Sequence, residues 1–231
     1  MNKEDRHKTP RLAKGLAILH EDRDLLVVDK PAGLLTVGLD SGRSITAYSI
    51  ATNYVRKGQA RSRNRVFVVH RLDRDTSGIL LFAKSEEAKF RLQDSWEETE
   101  KKYLAIVHGR CPKDADKIST YLAENKAQVV YSTSDPAMGK LSHTAFRVLR
   151  RTKKFSLLEI DLLTGRKNQI RVHLAEIGHP IVGDRKYGRA EDGHKFLALH
   201  AHSFAFEHPH SGKKLVFTAK TPGYFEKLLS K

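Results

Sequence analysis

Cysteine is nearly absent from this chain: Cys111 is the only one in 231 residues. A single thiol closes no internal disulfide and builds no cysteine-based zinc cluster, so a reducing, cytoplasmic setting is the expectation. Long apolar runs are missing as well. None approaches the roughly 18–20 residues needed to cross a bilayer. The opening MNKEDRHKTPRLAKG is polar throughout, without the apolar centre of an export signal, and no membrane role is expected. Neither GxGxxG after a strand nor GxxxxGKS/T occurs, which argues against a nucleotide cofactor in a glycine loop. Twelve histidines raise the question of a metal. His200 and His202 would share one strand face, yet no third ligand stands at zinc spacing, and His208-Pro209-His210 reads as a turn. No functional metal is expected.

Acid is scarce relative to base. Lys and Arg number 42 against 27 Asp and Glu, a formal charge of +15. Such an excess favours a polyanionic partner, nucleic acid above all. The run RKGQARSRNR at 56–65 carries Arg56, Lys57, Arg61, Arg63 and Arg65 and no acid. Arg150, Arg151, Lys153 and Lys154 make a second cluster. Each would gain affinity from neutralising phosphates and releasing counterions, without reading sequence. The plainer reading of both is a solvated loop, and it is preferred for the second cluster taken alone.

Residues 1–14 read as a flexible basic arm broken by Pro10, and 15–231 as one compact catalytic domain. Ala17–Leu19 and Leu25–Val28, around the polar turn Glu21–Asp24, predict a hairpin that Lys30-Pro31-Ala32-Gly33 ends sharply. Ser44 is a candidate cap for a helix to about Val55, with Ile45, Ala51 and Tyr54 or Val55 among its inner residues. A strand over Val66–Val69 leads into HRLDRDTSG, and the apolar GILLFAK restarts a strand buried on both faces. Ser85 opens a helix through about Thr99, with Ala88, Leu92 and Trp96 along one side. Strands follow over Lys102–Val107, Gln128–Ser132, Thr144–Leu149 and Phe155–Leu163. A helix over Asn168–Ile177 has Ile170, Leu174 and Ile177 on one face and Gly178 as its end. Leu197–Phe206 and Lys214–Ala219 make a closing strand pair before a short C-terminal helix. Strands outnumber the dispersed helices, which predicts an α+β fold.

HRLDRDTSG at 70–78 is the strongest candidate site, because rigid apolar strands hold it on both sides. The alternative is a surface turn with screened ion pairs worth about 0–1 kcal/mol. Ser77 close to His70 lacks the GxSxG setting of a serine hydrolase. A carboxylate paired with a cation stays ionised, which suits a nucleophile more than a general acid. Residue chemistry alone does not choose between Asp73 and Asp75.

HRLDRDTSGILLFAKS resembles the signature of the RluA family of pseudouridine synthases. Four further stretches match that family in the expected order: ILHEDRDLLVVDKPAGLLT, KKYLAIVHG, LLTGRKNQIRVHLAEIGHPIVGDRKYG and LALHAHSFAFEHP. Together they span roughly residues 16 to 220. The resemblance implies a single pseudouridine-synthase-type domain, with a mixed, largely antiparallel sheet, flanking helices and a central basic cleft. It implies isomerisation of uridine to pseudouridine in RNA, tRNA or rRNA or both, by a monomer that needs no metal and no organic cofactor. Asp73 fills the catalytic position and Asp75 falls where members vary. Arg171 matches the arginine that pairs with that carboxylate, and Tyr103 the tyrosine that stacks on the target base. Arg71 matches an arginine that occupies the gap left by a flipped base. RNA contacts are expected from Arg71, Arg61, Arg63, Arg65 and Lys167. Lys167-Asn168 depart from the Thr-His of many members, and no S4-type RNA-binding domain is expected in the few residues before the first hairpin. Two other classes compete: a catalytically silent RNA-binding or ribosome-assembly protein on the same scaffold, and an RNA hydrolase using the carboxylate pair, disfavoured because no metal cluster accompanies it.

Overall fold

The computed structural model describes residues 10–38, 44–59 and 61–230. Of the expected basic arm, residues 1–9 lie outside the described residues; Arg11 forms a bridge to Ala17. The described residues form one 11-stranded sheet with four α-helices.

The chain begins with the expected hairpin, β1 (Ala17–Glu21) and β2 (Leu25–Lys30). Helix α1 (Ala47–Val55) follows, and its cap is Thr46, not Ser44. Thr46 accepts the Ser49 N–H while the Ser49 hydroxyl accepts the Thr46 N–H, a reciprocal closure that the lone Ser44 could not supply. Ile45, expected inside, is exposed, and Ile50 takes its place in the core. The two-residue β3 (Phe67–Val68) leads through the HRLDRDTSG loop into β4 (Ser77–Ala83), buried along its whole length as its apolar run predicts.

Ser85 caps α2 (Glu86–Asp94), which stops five residues before the expected Thr99. Trp96 therefore packs on the core from the turn beyond the helix. Next come β5 (Glu100–His108), β6 (Ala115–Glu124), β7 (Val130–Thr133), β8 (Lys140–Arg151) and β9 (Phe155–Leu162). The ten-residue β6 has no counterpart in the sequence reading. Its sequence, ADKISTYLAE, lacks a regular apolar alternation, and its pairing with β7 and β8 holds it in place. Helix α3 (Gln169–Glu176), β10 (Leu199–Glu207), β11 (Lys214–Thr218) and α4 (Gly223–Leu229) complete the chain. Ile177, assigned to the inner face of α3, is exposed because the helix ends one residue before it.

The strand order is β1-β2-β4-β10-β5-β9-β8-β6-β7, with β11 beside β10 and β3 beside β4. Every pairing is antiparallel except β4 with β10, which covers only Ser77 against His200 and Gly78 against Ala201. That short parallel seam joins the two halves of the sheet. Gly78 adopts φ +110°, and a Cβ there would lie 2.2 Å from the Ala201 carbonyl oxygen. Only glycine lets the halves close this tightly. Tyr103 of β5 pairs with Ala201 from the other side, so the seam sets the HRLDRDTSG loop and Tyr103 side by side. No helix among the described residues is long and apolar enough to cross a membrane.

Candidate active site

The loop that carries Asp73 is held by backbone carbonyls on either side of it. Lys30, at the end of β2, is fully buried. Its Nζ donates to the carbonyls of Pro31 (3.1 Å), Leu34 (2.7 Å) and Arg74 (3.0 Å). The Gly33 N–H donates to the same Arg74 carbonyl at 2.9 Å. Thr36 Oγ1 donates to the Leu72 carbonyl at 2.8 Å and accepts the Leu72 N–H at 3.2 Å. Residues 72 and 74 are thus clamped, and Asp73 between them has little freedom. Burial pushes the Lys30 ammonium down to about 7, against the pull of Asp75, Asp73 and Asp29. Lys30 reads in sequence as the residue before a turn; its role as a buried clamp shows only in three dimensions. At the loop's entry, His70 accepts the Leu81 N–H at 3.0 Å and stacks on Trp96. Burial, with Lys101 adding repulsion, pushes this imidazole down to about 3, so it sits neutral. At the exit, Ser77 Oγ bonds His200 Nδ1 at 2.9 Å.

The two carboxylates of the loop have different surroundings. Asp75 is half exposed and meets only the exposed Arg74, at 3.3 Å. Asp73, 30% exposed, accepts a hydrogen bond from Arg171 Nη1 through Oδ2 at 3.0 Å. Among the described residues its Oδ1 has no hydrogen-bond partner.

Arg171 is itself held rigidly. Asp184, 1% exposed, takes its Nε and Nη2 in a two-point bridge, both at 2.8 Å. Asn168 Oδ1 accepts from Nη1 at 3.0 Å, and the Tyr187 ring lies 5.2 Å from the guanidinium carbon. Burial disfavours the guanidinium charge, but the bonds and charge of Asp184, then of Asp73, hold its pKa above the usual arginine value. Burial likewise disfavours the Asp184 charge. The Arg171 bonds and the N–H groups of Tyr187 and Lys186 overcome it and leave that pKa depressed. Asp184 went unnoticed in the sequence, although GDRKYG lies inside a matched motif. Asn168, noted there as a departure, adopts a left-handed conformation (φ 54°) and joins Arg171 to the Tyr187 hydroxyl.

Polar bonds pin α3 across the sheet and so fix Arg171. Buried Gln169 donates to the His143 carbonyl and Thr144 Oγ1 and accepts from Thr164 Oγ1 and the Arg166 N–H. His173, fully buried, reaches Thr144 with one nitrogen and Thr120 with the other. Val172 packs against Leu122 and Val130.

Tyr103, Asp73 and Arg171 line one cleft of about 90 Å³, together with Arg71, Arg166 and Asn168. Tyr103 is buried beside Phe204, and its hydroxyl has no hydrogen-bond partner among the described residues. Burial, then the negative charge of Asp73, raises its pKa. Arg71 and Arg166 are exposed at the cleft and have no carboxylate partner among the described residues. Lys167 points to Glu124 and pairs with it. Arg61, Arg63 and Arg65 are also exposed, but they precede β3, whose Phe67 pairs with Ala83 at the far end of β4. Six strand steps at about 3.3 Å each put Phe67, to which that basic run leads, roughly 20 Å from Ser77 at the loop's exit.

One grouping among the described residues has metal-ligand character, Asp22, Asp24 and His208. His208 Nδ1 accepts the N–H groups of His210 and Ser211 at 3.1 Å. The ring proton of the neutral imidazole is therefore on Nε2, which faces Asp22 at 3.2 Å. This histidine serves the hairpin turn as a donor and has no lone pair to offer an ion there.

Residues 24–176 match the family model described as RNA pseudouridylate synthase. The chain is 36% identical over 223 residues to an uncharacterized RNA pseudouridine synthase of Mycoplasma genitalium, covering 93% of this chain and 70% of that protein. It is 34% identical over 218 residues to the ribosomal large subunit pseudouridine synthase C of Rickettsia bellii, covering 91% and 70%. The fold matches human RNA Pseudouridylate Synthase Domain Containing 4 with a TM-score of 0.78 at 22% identity, over 92% of this chain and 91% of that one.

Proposed function

The chain belongs to the RluA family of RNA pseudouridine synthases, isomerases that act on uridine in RNA, and from that premise we propose that Asp73 is its catalytic carboxylate. The observation that carries this is the asymmetric hold on Asp73. Arg171 binds Oδ2 at 3.0 Å, while among the described residues Oδ1 has no partner in the cleft that Asp73 shares with Tyr103. A carboxylate held on one oxygen by a fixed guanidinium, and lining an open cleft, needs little reorganisation when charge shifts in the reaction.

In the proposed reaction the N1–C1′ bond of the nucleotide breaks, the uracil turns, C5 bonds to C1′, the C5 proton passes to solvent, and N1 takes up a proton in its place. Asp73 either adds to the nucleotide or takes a ribose proton to give a glycal; its free oxygen suits both. Tyr103 supplies an aromatic face for the base, a stack of about 1–3 kcal/mol. The target uridine leaves its stack at a cost of a few kcal/mol, and Arg71 takes the vacated position. The substrate is structured RNA of the ribosomal or transfer class. Relatives named ribosomal large subunit pseudouridine synthase C favour the large-subunit rRNA. Arg61, Arg63 and Arg65 contact RNA away from the target nucleotide, and Lys167 does so when released from Glu124. The protein works in the cytoplasm as a monomer, residues 15–231 acting as one catalytic domain.

The test is tritium release from 5-tritiated uridine in transcribed large-subunit rRNA and in tRNA, with EDTA present. Release from one pool identifies the substrate class. No release from either, with RNA binding intact, favours the silent RNA-binding alternative.

A further inference from the structure

The segment between α3 and β10 makes a second basic groove. Its two ends are braced by buried aspartates. At one end Asp184 holds Arg171 and accepts the N–H groups of Lys186 and Tyr187. At the other Asp192, 7% exposed, accepts from the Gly183 N–H (2.6 Å), from His108 Nε2 on β5 (2.8 Å) and from His194 Nδ1. The base of the segment is stitched to β5: Val182 donates to Ile106, Ile106 to Ala198 and Ala198 to Val182, at 2.8–3.0 Å. Gly183 (φ +78°) lets the Phe196 carbonyl approach so closely that a Cβ would lie 2.0 Å from it. The segment is irregular yet firmly tied, a poor design for a passive linker.

What it presents outward is cationic. Arg185, Lys186, Arg189 and Lys195 leave it, and Lys153 and Lys154 face it from the β8–β9 turn; all six are exposed. None has a carboxylate within 4.0 Å among the described residues. Glu191 is the one exposed acid in the same stretch. An open groove of about 990 Å³ runs between Arg189 and His194 on one wall and Lys153 and Lys154 on the other. Two residues beyond His194, Phe196 is 44% exposed, with Lys195 Nζ 5.3 Å from its ring centroid and the Tyr224 ring centroid at 5.4 Å. His108 lies five residues along β5 from Tyr103, about 17 Å at strand spacing, so the groove is separate from the cleft.

Unpaired cations along a groove, with an exposed aromatic two residues on from its wall residue His194, match a single-stranded nucleic acid, whose phosphates need charge and whose bases need a flat apolar face. We infer that this groove holds an unpaired segment of the substrate RNA outside the target uridine, phosphates on Lys153, Lys154 and Arg189 and a base on Phe196. The inference rests on the reading of the protein as an RNA-modifying enzyme, and it assigns a use to Lys153 and Lys154 of the cluster that charge alone left as a solvated loop.

The test uses a fluorescein-labelled 20-nucleotide oligouridine and fluorescence anisotropy across a salt series. Lys153→Ala/Lys154→Ala/Arg189→Ala should lower affinity roughly tenfold or more and flatten the log–log salt slope by about 2, three contacts at ~0.7 each. Phe196→Ala should lower affinity roughly 5- to 150-fold. If either variant folds poorly, Lys153→Glu/Lys154→Glu replaces it, since both side chains are exposed. Photocrosslinking of a 4-thiouridine version to residues 195–196 supports the groove. Unchanged affinity and slope, or crosslinks confined to 56–65, overturns it. Tritium release is read separately. Release with unaltered oligouridine binding in the groove variants sinks the groove alone, whereas binding lost in the groove variants, with a wild type that binds oligouridine but releases no tritium, sinks the isomerase reading alone.

Discussion

Arg171 reaches Asp73 across 98 residues of sequence, Nη1 to Oδ2 at 3.0 Å, and does so from a guanidinium whose other donors are fixed on buried Asp184. Asp73 is thereby tied to a rigid group, while Asp75, two residues on, meets only the exposed side chain of Arg74.

Removing the far side of that chain isolates its effect. Asp184→Ala removes the two-point partner of the buried Arg171 and leaves its charge only the part-exposed Asp73, and breaking a buried pair costs up to about 3–5 kcal/mol. Thermal and denaturant unfolding should show a loss of this size. In the fraction still folded, turnover should fall more than RNA affinity, because Arg171 no longer holds Asp73. Arg171→Lys should be nearly as damaging to turnover, since an ammonium cannot bridge Asp184 at two points and still reach Asp73. Equal turnover in wild type and Arg171→Lys would remove the rigidity argument.

Lys30 gives a pH signature with a definite sign. Its native pKa is pushed down to about 7 by burial, below the ordinary lysine value of 10.5. Between about pH 7 and 10.5 the unfolded chain keeps this proton and the native protein does not, so the group adds stability as pH rises through that window. The slope is at most about 1.4 kcal/mol per pH unit. The difference in unfolding free energy between wild type and Lys30→Met should therefore grow in favour of wild type from pH 7 to 9.5. A flat difference would mean that Lys30 keeps an ordinary pKa.

Buried histidines act at the other end of the scale. Burial pushes His173 and His200 down to about 4, with His143 and His202 respectively adding to the effect. Between pH 6.5 and 4 the unfolded chain takes up protons that these native imidazoles refuse, so stability falls as pH drops through that range. Urea midpoints measured at pH 7, 6 and 5 should decline, and His173→Asn should decline less steeply than wild type.

The fold was largely legible where sequence pattern and packing coincide. The β1–β2 hairpin, the fully apolar β4 and the Ser85 cap follow from alternation, burial and capping chemistry. β6 was invisible because its residues carry no regular pattern of their own and depend on β8 for their pairing. Of the cleft, Asp73, Tyr103 and Arg171 come from motifs that resemble a family; spacing alone could not separate Asp73 from Asp75. Lys30 and Asp184 were missed because their roles exist only through long-range contacts, to the Arg74 carbonyl and to the Arg171 guanidinium. A basic residue before a proline, and an acid after a glycine, show nothing of that in one dimension. The signal available for Asp184 was an acid inside a matched motif with no role yet assigned.

The basic run at 56–65 lies roughly a strand length from the cleft, so its contribution should be to affinity alone. Neutralising Arg61, Arg63 and Arg65 together should flatten the salt slope of RNA binding and leave turnover at saturating RNA unchanged. A lowered maximal rate would place the run closer to the chemistry than the sheet geometry does.

The central claim is tested most directly by comparing two single substitutions in tritium release from 5-tritiated rRNA, with binding measured in parallel. Asp73→Asn should release no tritium while binding RNA with near wild-type affinity, and Asp75→Asn should release it at close to the wild-type rate. Activity retained by Asp73→Asn and lost by Asp75→Asn would contradict the assignment of Asp73.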